Sequence, residues 1–142
     1  NSSFIGSPEN PSVRLPGTGG GNDISSLTQM IVAIKHEKRR FVEKVDFITS
    51  PGFLNGNSTR HDTGLISGGM YRVVTDLAIM GFDEKTKSMK VEALHPGVTA
   101  EEVRDNTGFD ILIGENVGVT KAPSDEELSV LRHLDPDRVY IA

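Results

Sequence analysis

The sequence has no cysteine. Disulfides, thiolate zinc sites and thiol nucleophiles are therefore excluded together, and a covalent nucleophile in these residues has to be an oxygen. Long apolar runs are missing too. The longest, Met30 to Ile34, is far short of the roughly 20 residues a membrane-spanning helix needs. Nor is there an excess of positive charge. Fifteen Lys and Arg against 20 Asp and Glu leave a net charge of -5, so no long-range attraction to nucleic acid or to an anionic membrane is expected. The first residues, "NSSFIGSPENPSVRLP", have neither the basic n-region nor the apolar h-region of a signal peptide and lack an initiator methionine. The expected setting is cytoplasmic. No fixed-period repeat and no low-complexity tract interrupts the chain.

What is present is glycine. "LPGTGGGND" places Gly17, Gly19, Gly20 and Gly21 ahead of Asn22 and Asp23, more bare backbone than a sharp bend requires. The stretch does not fit GxxxxGK[ST], because no lysine follows. It does not fit GxGxxG either, because Asn22 stands where the last glycine should be. What remains is a run of main-chain N–H groups at a helix start, able to hold an anion or to stabilise a developing oxyanion; a plain tight turn is the alternative.

The length of 142 residues suits one domain with a real core. Asn22 or Asp23 is a suitable N-cap for a short helix over "ISSLTQ", and the β-branched "MIVAIKH", Met30 to His36, reads as a buried strand. "EKRRFVEKVDFITSPGF" is ambiguous between helix and strand. "LNGNSTRHDTGLISGGM", Leu54 to Met70, is a long loop of the kind that carries function. Tyr71 to Phe82 and Met89 to Leu94 read as two strands of a hairpin joined by "DEKTKS". Thr99 and Glu102 have capping-box spacing, Val98 and Val103 form a staple, and Gly108 is a stop. Phe109 to Ile113 is expected as a strand. Ser124 and Glu127 open a last helix to about Leu134, with Leu128, Leu131 and Leu134 as its buried stripe and Asp135 and Pro136 as its end. The pattern is α/β, with a sheet of several strands.

Other candidates for chemistry are weaker. His36, His61, His95 and His133 have no metal-ligand spacing, since "HEKRR" puts Arg40 where the second histidine of HExxH belongs. No metal site is expected. Lys35, Lys38, Arg39, Arg40 and Lys44, interleaved with Glu37 and Glu43, suit a salt-bridged surface or a contact to an anionic ligand. Glu101, Glu102, Asp125, Glu126 and Glu127 fall in first helical turns, where negative charge complements the helix dipole. Glu115, in "GENVG", is a candidate exposed carboxylate between a strand and a linker.

"LPGTGGGND", "KHEKRRFVEKVDFITSPGF" and "RVVTDLAIMGFDEKTKSMKVEALHPGVTAEEVRDNTGFDI", in that order and spacing, resemble the C-terminal half of the β subunit of family I CoA-transferases. The glutaconate and 3-oxoadipate branch is the nearest. The resemblance implies a CoA-transferase-like (NagB/RpiA-type) open sheet flanked by helices. It also implies ping-pong transfer of CoA between an acyl-CoA and a carboxylic acid through a glutamyl-CoA thioester. Coenzyme A thioester is then a substrate, and no permanently bound cofactor is implied. Gly19, Gly20 and Gly21 inherit the oxyanion and thioester-binding role, with Gly17, Asn22, Arg39 and Arg40 as possible substrate or CoA contacts. The family's glutamate lies upstream of the glycines in an "ENG" or "ESG" context. Residues 1–142 are thus expected to be the C-terminal part of a single β-subunit domain, without that nucleophile and inactive alone. The implied partners are a CoA-transferase α subunit, together with the N-terminal half of the β subunit. Two alternatives are a CoA-thioester ring-opening hydrolase of the same family and a non-catalytic assembly domain.

Overall fold

The computed structural model describes residues 4–7, 9–15, 17, 19–45 and 47–139. A two-stranded antiparallel ribbon, β1 (Phe4–Gly6) with β2 (Pro11–Arg14), precedes the main sheet. After α1 (Gly21–Leu27) come β3 (Gln29–Ala33), the short α2 (Thr59–Asp62), β4 (Gly69–Val74), β5 (Ala78–Phe82) and β6 (Met89–Leu94). The chain continues through α3 (Ala100–Asp105), β7 (Leu112–Val119) and α4 (Asp125–Leu134). Strands β3 to β7 form one sheet in sequence order. Its middle is an antiparallel meander, β4-β5-β6. The outer strands β3 and β7 join in parallel, each through a crossover.

The period of two along the meander decides which face is buried. Val73 lies opposite Met80, and Met80 opposite Val91. All three are buried, with Ala78, and α3 lays Val103 over them together with Phe41 and Ile111. Met80, Ala78 and Val103 are fully shielded from solvent.

Several sequence expectations are corrected. Tyr71 to Phe82 is two strands, not one, because the Thr75 hydroxyl accepts the N–H groups of Leu77 and Ala78 and turns the chain without glycine or proline. The β5-β6 hairpin closes as expected through residues 83–88, with Asp83 Oδ1 accepting the N–H groups of Lys85 and Thr86. Met30 to His36 is not a buried strand. Pairing ends at Ala33, and exposure alternates along β3, which among the described strands has a neighbour on one side only. Phe109 to Ile113 contributes only its last two residues to β7, and "GENVG" lies inside that strand with Glu115 exposed, not in a linker. The helix at the glycines begins at Gly21 with Gly20 as N-cap; Asn22 and Asp23 already lie in its first turn.

Thr99 accepts the Glu102 N–H as N-cap of α3, and Ser124 with Glu127 forms the complete capping box of α4. The stripe proposed for α4 is not buried: Leu131 is 41% and Leu134 74% exposed. Apolar spacing marks the face a helix offers, but burial needs a surface to receive it, and no residue of α4 is buried here. No helix among the described residues is long and apolar enough to cross a membrane.

Candidate functional site

The glycine segment ends in a turn that becomes α1. Gly19 takes φ +51°, in the left-handed region that glycine enters without a Cβ penalty, and Gly20 returns to helical values with φ -64° and ψ -7°. The Gly20 carbonyl accepts the Ile24 N–H at 3.0 Å, which starts the helical ladder. The N–H groups of Gly21, Asn22 and Asp23 precede the first intrahelical donor and have no acceptor within α1. A Cβ placed on Gly17, Gly19 or Gly20 would meet nothing within 4 Å. These glycines therefore do not relieve crowding inside the fold. Their bareness opens outward, toward whatever approaches the turn.

The back of α1 is fastened to the fold twice. In its first turn, the Asn22 amide donates to the Thr49 carbonyl at 2.9 Å. That bond occupies one of the groups expected to reach substrate. At its far end, the carbonyls of Ser25 and Ser26 accept from the Arg60 guanidinium, each at 2.9 Å. Arg60 also donates to Pro51, Gly52 and Ser67 carbonyls. It is buried, with 6% exposure, and among the described residues its Nε has no partner. Both fastenings lead to the same segment, residues 49–52.

Arg39 and Arg40 lie elsewhere in the bonding pattern. Both donate to Glu37 Oε2 at 2.8 Å, and among the described residues neither bonds to the glycine turn. The Arg40 hydrogen bond, followed by the charges of both arginines, holds the Glu37 carboxyl below its usual range. With Arg39 largely exposed, this is the salt-bridged surface that the charge pattern suggests.

His36, adjacent to that cluster, is buried and stacked on Phe41, with ring centroids 4.3 Å apart. Thr107 Oγ1 gives its proton to the Val103 carbonyl, so it accepts from His36 Nε2–H at 3.0 Å. Nδ1 lies 3.1 Å from the Thr75 hydroxyl, whose one proton is also within reach of the Ala78 carbonyl at 3.0 Å, while the His36 main-chain N–H donates to Asp76 Oδ1. Burial lowers the His36 pKa, and the Asp76 charge opposes this. Both ring nitrogens face hydroxyls, so His36 joins the β4-β5 turn to Thr107, just past α3, as a neutral strut.

Sequence reasoning singled out the glycines as candidates and did not single out Arg60, the buried side chain behind α1. The available signal was one arginine in the Gly, Asn and Ser-rich loop from Leu54 to Met70.

Comparison with known proteins gives this geometry a context. Residues 1–106 match the family described as Coenzyme A transferase. The chain is 40% identical over 143 residues to the β subunit of glutaconate CoA-transferase from Acidaminococcus fermentans, covering 99% of this chain and 53% of that protein. It is 41% identical over 136 residues to the β subunit of 3-oxoadipate CoA-transferase from Pseudomonas knackmussii, covering 95% and 52%. A third relative, the cholesterol ring-cleaving hydrolase IpdB subunit of Rhodococcus jostii, is 34% identical over 139 residues, covering 96% and 54%. The chain thus spans about half the length of the relatives it matches.

Among solved structures, the Acidaminococcus fermentans glutaconate coenzyme A-transferase superposes with a TM-score of 0.88 at 39% identity, covering 100% of this chain and 55% of that one. Rhodococcus jostii IpdAB superposes with a TM-score of 0.82 at 30% identity, covering 98% and 56%. The AibA/AibB decarboxylase, at 19% identity and a TM-score of 0.73, shares the fold. With a family match over most of its length and relatives at about two-fifths identity, the chain belongs to the Coenzyme A transferase family.

Proposed function

We propose that these residues are the glycine-turn half of a CoA-transferase β subunit, working in a complex that moves CoA from an acyl-CoA to a carboxylic acid. A glutamate carboxylate from outside these residues attacks the thioester carbonyl carbon, and the C–S bond breaks to give a mixed anhydride and CoA thiolate. The thiolate attacks the glutamyl carbonyl, releasing the first acid and leaving a glutamyl-CoA thioester. The acceptor acid then runs the two steps in reverse.

Negative charge develops on the carbonyl oxygen at each attack, and each addition requires preorganised donors there. The observation that carries the proposal is the turn leading into Gly21, exposed at Gly19 and Gly20 and supported from behind by Asn22 and Arg60. Its main-chain N–H groups supply donors, and the absence of Cβ atoms lets a thioester reach them. The α subunit, with the remaining half of the β subunit, completes the assembly. The donor is an acyl-CoA and the acceptor a second carboxylic acid, one of the two being a dicarboxylic or 3-oxo acid, the class in the names of two relatives.

A second reading is hydrolysis of a cyclic CoA thioester, favoured by the likeness to IpdAB and its IpdB chain. The two separate in one experiment. The assembled enzyme is given glutaryl-CoA with labelled acetate, and in parallel a cyclic 3-oxoacyl-CoA in water. Labelled acetyl-CoA together with a glutamyl-CoA adduct in the mass spectrum supports transfer. Addition of water to the cyclic ester without transfer supports the hydrolase. If the complex forms and neither occurs, the domain serves assembly.

A further inference from the structure

Arg60 is a buried cation, and among the described residues no carboxylate pairs with it. Among the described residues its partners are five main-chain carbonyls: Ser25, Ser26, Pro51, Gly52 and Ser67. Two of these belong to the last turn of α1, where helix carbonyls lack intrahelical donors and the helix dipole is negative. Two belong to the segment after Thr49, and one to the loop that leads into β4. The fifth N–H donor, on Nε, is buried beside Gly69 without a partner among the described residues. The guanidinium plane is set by the carbonyls of three separate segments, although this leaves one donor unmet.

We infer that Arg60 is the positioning residue of the glycine turn: with Asn22 it fixes α1 to residues 49–52, and so sets where the Gly19–Gly21 N–H groups point. The inference rests on the proposed role of that turn. α1 has only seven residues, too short to hold its own direction in water, so the direction of its N-terminus is imposed from outside. Asn22 to Thr49 holds one end and Arg60 to Pro51 and Gly52 the other, giving two points on one short segment. A lysine cannot replace the arginine, because its three donors radiate from one nitrogen and do not span carbonyls on three segments.

The test uses the full-length protein assembled with its partner. In Arg60→Lys, amide exchange across residues 21–27 should accelerate at least tenfold. Turnover should fall at least tenfold with KM for acyl-CoA within twofold, and the complex should still elute at its native size. In Arg60→Gly, millimolar guanidinium should restore part of the turnover, and the same concentration of ammonium should not. If the Arg60 variants do not assemble, Asn22→Ala breaks the second attachment at the surface and should show the same pairing of faster exchange with lower turnover. Unchanged exchange in α1, or faster exchange with full turnover, overturns the inference. Failure of the underlying reading is separate: it would appear as unchanged turnover in Gly20→Val, whatever the exchange data show.

Discussion

Gly20 is the residue at which the proposed chemistry can be separated from folding. Its φ is helical and a Cβ there meets nothing within 4 Å, so Gly20→Val should cost at most about 1 kcal/mol of stability. In the assembled enzyme the added branches occupy the space in front of the donors, and turnover should fall about a hundredfold, the scale for losing one oxyanion donor. Steady-state rates beside a thermal melt check both. His36 makes a different prediction. Its folded pKa is lowered by burial, so below the ordinary value of about 6.5 the unfolded chain binds more protons than the folded one. Stability should rise with pH through the window between the lowered pKa and about 6.5, and decline as pH falls through it. Urea midpoints at pH 7.5 and 5.5 should show this decline in the wild type and a smaller one in His36→Gln. At this scale the glycines were legible because composition is local. Arg60 was not, since its acceptors are main-chain carbonyls, which every residue type carries alike.

Among the elements, the loop closing onto α1 depends on a close approach at Gly68. It has φ +70°, and a Cβ there would lie 2.4 Å from the Thr28 carbonyl oxygen. The adjacent Gly69 N–H donates to that same oxygen at 3.1 Å. Gly68→Ala should therefore cost about 2 kcal/mol or more, through strain and the lost approach together. Gly114→Ala, with open space and ordinary φ, should stay within about 0.5 kcal/mol. Denaturant titration of both variants decides it. Elements with side-chain signals were legible: Thr99 and Ser124 as caps, and the loop between β5 and β6 with Asp83 at its head. The Thr75 turn was not, because a hydroxyl that accepts two N–H groups makes a reversal without the glycine or proline that usually marks one. The leucines of α4 gave the right period and the wrong burial. Spacing specifies a face, and the surface that covers it belongs to other residues.

For the molecule as a whole, the resemblance carried by its motifs reached the family and the α/β open sheet, because those motifs run in order through nearly the whole sequence. The connections between strands have a further consequence for the order of assembly. Strands β4, β5 and β6 are joined by short turns, so their contacts close small loops. The parallel partners β3 and β7 must wait for the crossovers over residues 34–68 and 95–111. Loop-closure entropy makes the meander the early event and the outer strands late. The β3 crossover contains residues 49–52 and Arg60, the supports of the glycine turn. Pulse-labelled refolding of the full-length protein should therefore protect Val73, Met80 and Val91 amides first and those of α1 last. A chain caught partway through folding would hold a finished sheet centre while α1 and the glycines ahead of it were still unfastened, so the part of the molecule that forms last is the part most open to its surroundings.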